Sequence, residues 1–340
     1  MESPAYAKER VNWAGDVLKD SKSASGDRAE ATRVWDNWRA SHELPLVELE
    51  AAAKSKARQI SDQALVYGRL KRLPSVIDKL TRPDTQKMRM ARMQDIGGCR
   101  AVLPTIEDVL AVRELFRAPD LRHELAREDD YLARPRKSGY RGIHLIHKFS
   151  PPPDSHAGLA VETQIRSRLQ HAWATAVECI DIIYSQRLKF GGGAVDWTRF
   201  FLLMSAAMAI REGTPCPADT PSNLEGVVAE LRPLAKALEA ERRLTEYKNL
   251  IQSASERVEG AKWLLLELRT GEKLLEIKGF REEEREEANR QYTAIDKDRL
   301  VTGREAVLVS VESLVDLPKA YPNYYLDTEH FVKIFRETLG

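Results

Sequence analysis

Two stretches, Val161-Glu162-Thr163-Gln164-Ile165-Arg166 and Pro135-Arg136-Lys137-Ser138-Gly139-Tyr140-Arg141-Gly142-Ile143-His144, decide how this chain is read. In the first, polar and apolar residues alternate strictly. Side chains of a strand point to opposite faces in turn. Val161, Thr163 and Ile165 therefore face a core, while Glu162, Gln164 and Arg166 set a carboxylate, an amide and a guanidinium side by side on the other face. The second stretch is a basic, Gly-containing loop that runs into an apolar strand. Alone, the 161–166 strand reads as a solvated sheet face. The residues upstream give it a different meaning.

The chain has 340 residues, enough for one large domain or two ordinary ones. Hydrophobic residues at 43% and charged residues at 31% describe a globular protein, and no apolar run approaches the length of a membrane span. The N-terminus lacks the apolar core of a signal peptide. Cys99, Cys179 and Cys216 are far apart, odd in number, and form neither a disulfide framework nor a zinc motif. A cytoplasmic location without membrane contact is expected. Net charge is +1, but Lys54–Arg92 holds eleven Lys and Arg against three Asp. Such a stretch is either a solvated helix face or a polyphosphate or nucleic-acid site.

In chain order, 4–20 and 28–60 read as helical, with a break at Ser41–Leu44 ahead of Pro45. Residues 62–80 read as helical too, with Leu70, Leu73, Val76, Ile77 and Leu80 as the buried stripe. Pro74 opens a new helical segment, so Ser75 lies at a helix start and Lys79 follows on the same face. Asp95 precedes Gly97-Gly98 and a short strand, Cys99–Leu103. Thr105 caps a helix over 105–116. Helices follow at 167–188 and 196–212, loops at Gly191–Gly193 and Pro215–Pro221, and a long helix or helix pair at 222–258, kinked near Pro233. A hairpin at 262–279, a charged helix at 281–297 and a strand at 306–311 follow. The order of elements around Asp95 and Glu162 describes an α+β or α/β core. The chain divides into N-terminal helices at 1–60, a core at 61–213, a helical spacer at 222–258 and a small α+β module at 260–340. With three tyrosines within Ala320–Leu326, the last is either a regulatory or partner-binding module or a plain extension that stabilises the core.

Arg69-x-Lys71-x-x-x-Ser75-x-x-x-Lys79, Asp95-Ile96-Gly97-Gly98-x-Arg100, Pro135–His144 and Glu162-Thr163-Gln164-Ile165-Arg166, taken in this order, resemble the synthetase domain of the RelA/SpoT family over roughly 60–185. The resemblance implies an α+β fold with a mixed β-sheet flanked by helices, nucleotidyltransferase-like. It also implies transfer of the β,γ-pyrophosphate of ATP to the 3′-hydroxyl of GDP or GTP, giving (p)ppGpp. That chemistry requires a neutralised, in-line triphosphate. By the resemblance Arg69, Lys71, Ser75, Lys79 and Arg100 bind ATP, with Arg69 stacked on adenine. Asp95 and Glu162 are the catalytic pair and hold Mg²⁺, and Glu162 takes the hydroxyl proton. Tyr140 stacks on the acceptor base, while Arg136, Lys137, His144, Gln164 and Arg166 hold the acceptor.

The loop departs from the family pattern at Ser138, where Asn is usual, and at Gly142, where Ser is usual. The family's hydrolase domain, marked by a His-Asp dipeptide, has no counterpart in the sequence. A second reading shares every donor-side residue: a toxin-like relative that modifies the 3′ end of tRNA or makes adenosine alarmones, with the tail as neutraliser or sensor. A third, a nucleotide sensor without activity, has no use for both Asp95 and Glu162. Candidate partners beyond the nucleotides are a second copy of the chain and a protein regulator of the tail.

Overall fold

The computed structural model describes residues 2–340 except 21, 83–86, 119–120, 151–153, 185–194, 251, 257–258, 270–271, 273, 285–286, 289, 293, 296–303 and 311–327. By contact the chain divides into two units, Met1–Asp129 with Ile143–Ile165, and Asp130–Gly142 with Arg166–Gly340. These limits differ from the expected ones at 60, 213 and 260. The loop that carries Tyr140 groups with the C-terminal helices, not with the sequence on either side of it.

The first unit begins with α1 (Lys8–Lys19), α2 (Ser25–Ala40) and α3 (Glu43–Ile60). The break falls at Ser41-His42, as expected, and Pro45 sits in the first turn of α3. There its missing N–H costs no helical hydrogen bond. Then come β1 (Leu65–Leu70), α4 (Leu73–Thr81), β2 (Gly97–Leu103), α5 (Ile106–Arg117), β3 (Glu124–Asp130), β4 (Ile143–Lys148) and β5 (Ala160–Ser167). The five strands form one mixed sheet in the order β1-β2-β5-β4-β3, with β1/β2 and β4/β5 antiparallel. Thr105 caps α5 in a reciprocal box: its hydroxyl accepts from Asp108 N, and Asp108 Oδ2 accepts from Thr105 N, both at 3.2 Å. Trp35 and Trp38 of α2 bury against α1 and α4 through Val11, Leu18, Val76 and Leu80.

The expected helix over 62–80 is half strand. Leu65-Val66-Tyr67 is a β-favouring run, and Gly68 weakens a helix interior by ~1 kcal/mol. Helix α3 packs on β1 and β2, and its side chains approach Gly68 closely. A Cβ there would lie 2.5 Å from Glu50 Oε2. Pro74 stands in the first turn of α4, so the apolar stripe becomes helical only from Leu73 onward.

His147 on β4 is fully buried against Phe116, and neither ring nitrogen has a hydrogen-bond partner. Burial, with the charges of His123 and Lys56, lowers its pKa to about 4. Below an unfolded value near 6.5 the unfolded chain takes up a proton that the fold refuses. The stability from this site is thus complete above pH ~6.5 and is lost as pH falls toward 4, by about 3 kcal/mol in all. We expect His147→Leu to unfold later than the wild type at pH 5, with a smaller difference at pH 7.5. Parallel denaturation midpoints across this range would refute the assignment.

The second unit contains α6 (Arg168–Tyr184), α7 (Val195–Arg211), α8 (Leu224–Ala237), α9 (Ala240–Leu250), β6 (Gln252–Glu256), β7 (Trp263–Arg269), β8 (Leu274–Phe280), β9 (Arg304–Ser310) and α10 (Glu329–Leu339). The expected helix at 222–258 ends earlier. Pro233 lies inside α8, the break comes at Leu238-Glu239 with Glu239 at φ 48°, and 252–256 is a strand. The strands form a second sheet, β6-β8-β7-β9, with β6/β8 parallel and β7 antiparallel to both neighbours. Ala288 and Tyr292, on a helical stretch, pack against its Leu265, Phe280 and Ala306. The expected tail module is not one piece: α10 packs into the helical core of α6–α9, not onto this sheet. The expectations for Gly191–Gly193 and Ala320–Leu326 lie outside the described residues. Among the described residues no helix is long and apolar enough to cross a membrane.

Candidate functional site

On the first unit, Arg69 stands exposed near the end of β1, and Lys71 follows just past it. Lys71 N donates to Ile96 O at 2.7 Å, which fixes the chain beside Asp95. Lys71 Nζ then donates to Asp95 Oδ2 at 2.7 Å. Lys79, on α4, reaches both oxygens of the same carboxylate at 3.1 Å. Ser75 lies in the first turn of α4, below the free N–H groups of that helix end. One carboxylate thus gathers two ammonium groups beside a helix N-terminus.

Glu162, on β5, is held from both sides. His144 Nδ1 lies 3.0 Å from its Oε1, and Gln164 Nε2 donates to its Oε2 at 2.6 Å. His144 and Gln164 are register partners across β4/β5. Gln164 Oε1 in turn lies 3.4 Å from Arg100 Nε, and Arg100 Nη1 donates to Tyr67 OH at 3.2 Å. A polar row therefore runs across four strands, from Tyr67 through Arg100 and Gln164 to His144. Tyr67 has no part in the sequence reading, because that reading placed it on a helix. On a strand it shares a face with Arg69.

The electrostatics agree with the geometry. Burial pushes the Asp95 carboxyl up, but Lys71 and Lys79 outweigh it and hold the group below the usual carboxylate range. The charge of Glu162 acts on Asp95 in the opposite sense, so the two carboxylates feel each other. Burial also pushes Glu162 up, and His144, Gln164 and Lys71 more than reverse this. Glu162 is therefore ionised and a weak base in this setting. Burial lowers the Lys71 ammonium, with Asp95 resisting.

The other expected residues gather on the second unit. Tyr140 is half-buried, with Tyr131 edge-on at 5.8 Å and Trp173 at 6.5 Å. The Arg166 guanidinium lies 5.0 Å from the Tyr140 ring centre, and its Nε donates to Tyr140 OH at 3.2 Å. Arg136 covers the Tyr131 ring at 4.2 Å. Arg136 and Lys137 are exposed. The sequence reading left out Arg141, which is fully buried here and bonded to Glu212. No sequence signal links these two residues, which lie 71 positions apart.

The sequence is similar to parts of several known proteins. Residues 68–188 match the family model described as a region found in RelA / SpoT proteins. The GTP pyrophosphokinase YjbM of Bacillus subtilis is 32% identical over 124 residues, which is 35% of this chain and 57% of that protein. The GTP pyrophosphokinase of Escherichia coli K12 is 28% identical over 165 residues, 46% of this chain and 20% of that one. The chain spans about half the length of the Bacillus relatives it matches. The crystal structure of small alarmone synthetase 1 from Bacillus subtilis, bound to its product pppGpp, superposes with a TM-score of 0.44 at 25% identity. That superposition covers 52% of this chain and 91% of the other. Over 68–188 the chain is thus similar to the region found in RelA / SpoT proteins.

Proposed function

We propose that the RelA/SpoT-type region at 68–188 makes this chain a pyrophosphokinase, moving the β,γ-pyrophosphate of ATP to the 3′-hydroxyl of GDP or GTP and producing (p)ppGpp. The observation that carries this reading is the joining of Lys71 and Lys79 to one ionised carboxylate, Asp95, within electrostatic reach of a second, Glu162. In the reaction the 3′-oxygen attacks the β-phosphorus, the bond to the α,β-bridging oxygen breaks, and AMP leaves. The hydroxyl gives up its proton to the Glu162 carboxylate. Lys71, Lys79, Arg69 and the α4 N-terminus neutralise and align the triphosphate.

The donor set suits Mg²⁺, which takes one or two carboxylates and completes its shell with water and phosphate oxygens. Among the described residues no group of three or more His, Cys, Asp or Glu is placed to hold a metal alone, so phosphate oxygens would share the coordination. Asp95 and Glu162 would hold the ion, and it would stabilise charge on the transferred group. Since Glu162 is held ionised below the usual range, its first task is to bind and orient. His144, bonded to it, sits where a proton can be passed on. Tyr140 offers its ring to the acceptor base, and Arg136, Lys137 and Arg166 meet acceptor phosphates.

The test is incubation with γ-labelled ATP and, separately, GDP, GTP, ATP and tRNA. Label on GDP or GTP with release of an equal amount of AMP is the expected result. Label on tRNA or on an adenosine nucleotide would transfer the assignment to the toxin-like reading, which shares every donor-side residue. Nucleotide binding with no transfer to any acceptor would leave a sensor and refute both. In the same assay Tyr140→Ala should raise the acceptor KM about 5- to 100-fold, the loss of one base–aromatic stack, with the ATP KM little changed. A rise confined to ATP would place Tyr140 on the donor side.

A further inference from the structure

We infer that Glu212 and Ser205, on and just past α7, are positioning residues for the acceptor: through Arg141 they set the loop that presents Tyr140. The inference rests on the proposed function and extends it to residues beyond the matched region, which ends at 188. Arg141 is the neighbour of Tyr140, and its side chain is turned fully into the second unit. Its Nη1 donates to Glu212 Oε2 at 2.6 Å and to Thr214 Oγ1 at 2.9 Å, and its Nε donates to Ser205 Oγ at 3.2 Å. Ser205 Oγ also donates to Gly139 O at 2.5 Å. One hydroxyl thus ties both sides of Tyr140.

Glu212 is itself held. Its carboxylate accepts from Ser167 Oγ and, at 3.2 Å, from Gln170 Nε2. Ser167 and Gln170 also bond each other at the start of α6. The network therefore joins the 139–142 loop to the start of α6 and the end of α7. The bonds of Ser205 to Arg141 and Gly139 are buried and those of Glu212 and Thr214 part-buried, and away from water a hydrogen bond is strong and a missing partner is expensive.

Packing reinforces the bonding. Gly139 has φ +89°, a left-handed conformation suited to Gly, and a Cβ there would lie 3.2 Å from both Ser205 Cβ and Trp173 Cζ2. Trp173 Nε1 donates to Phe201 O at 2.7 Å, so the indole that flanks Tyr140 is fixed by α7 as well. A surface loop with no function has no need of a buried ion pair, three hydroxyls and a glycine held in the left-handed region. A loop whose ring must meet a flat base in one orientation does need them.

The experiment uses the full chain with Ser205→Ala and Glu212→Gln. Hydrogen exchange reads the loop amides, in particular Gly139 N bonded to Arg136 O and Arg136 N bonded to Tyr140 O. We expect faster exchange at 136–142 and an acceptor KM raised about tenfold or more, equal to the loss of one or two buried hydrogen bonds. The ATP KM should stay within about twofold. Ser205→Ala removes a single hydroxyl, so it keeps the test open if Glu212→Gln melts too early to assay. Unchanged exchange in the loop, or equal shifts in both KM values, would overturn the inference. Loosened exchange in a protein whose wild type transfers to no acceptor would refute the proposed activity and leave the positioning network standing.

Discussion

Asp95→Asn and Glu162→Gln will each lower pyrophosphate transfer by about 10³-fold or more and leave a folded chain, because each removes a charge the transferring phosphates and their metal require. The two variants should differ in side effects. Asp95 neutralises both Lys71 and Lys79, so Asn at this position leaves two ammonium groups together without a counter-charge. Burial already lowers the Lys71 pKa, and Asp95 is the main group opposing it. A lysine binds phosphate only below its pKa. With Asp95 neutralised, ATP affinity should therefore fall away at a lower pH on the alkaline side than in the wild type. Glu162→Gln keeps both lysines bonded to Asp95, so its ATP binding should hold further into the alkaline range than that of Asp95→Asn. His144→Ala and Gln164→Ala, which act through Glu162, should cost only about 10- to 100-fold. Melting curves for all four separate lost chemistry from lost fold. Near-wild-type transfer by either carboxylate variant would sink the site.

The carboxylates were legible because their neighbours are close in sequence and alternate with a strand period. Glu162 and Gln164 sit two apart on β5, and their bond follows from that spacing alone. Ser75 and Lys79 were legible because four-residue spacing puts them on one helical face, whereas Lys71, ahead of α4, joins Lys79 only through Asp95. The error over 65–70 came from the same stretch. The apolar stripe was extended backward through Leu70, although Val66, Tyr67 and Gly68 oppose a helix and α3 lies over Gly68. That error hid Tyr67 and its bond to Arg100. Arg141 was hidden differently. Between two glycines it resembles any exposed loop arginine, and only the fold brings Glu212, Ser205 and Thr214 around it. Contacts of that sequence separation leave no periodic trace.

Ending the chain at residue 327, which removes α10, should unfold the helical part of the second unit. Reading 260–340 as one small module did not foresee this. The reason is the face that α10 buries. Phe331, Val332, Ile334 and Phe335 recur at helical spacing, and all four are buried. Phe331 meets Phe201 at 5.6 Å, and Phe335 meets Phe200 at 5.5 Å. Phe200 and Phe201 are fully buried themselves, on α7. The helix is also pinned at its ends. Thr328 Oγ1 donates to Leu244 O at 2.5 Å, Arg336 pairs with Glu241 at 2.6 Å, and Arg211 pairs with Glu337 at 2.7 Å. The two ion pairs are exposed and add little, at most ~1 kcal/mol each. The two phenylalanines decide the outcome: Phe331→Ala or Phe335→Ala should each destabilise by about 3–5 kcal/mol, a large fraction of the roughly 5–15 kcal/mol that holds an ordinary domain. Deleting the helix removes both rings and leaves Phe200 and Phe201 facing water. Since α7 also carries Ser205, the damage should reach the Tyr140 loop before the protein is fully unfolded. The point variants should therefore lose acceptor affinity at temperatures where circular dichroism still reports a folded chain. A truncated protein that stays soluble, melts at the wild-type temperature and keeps its acceptor KM would show that α10 is an appendage and the helical core is complete without it.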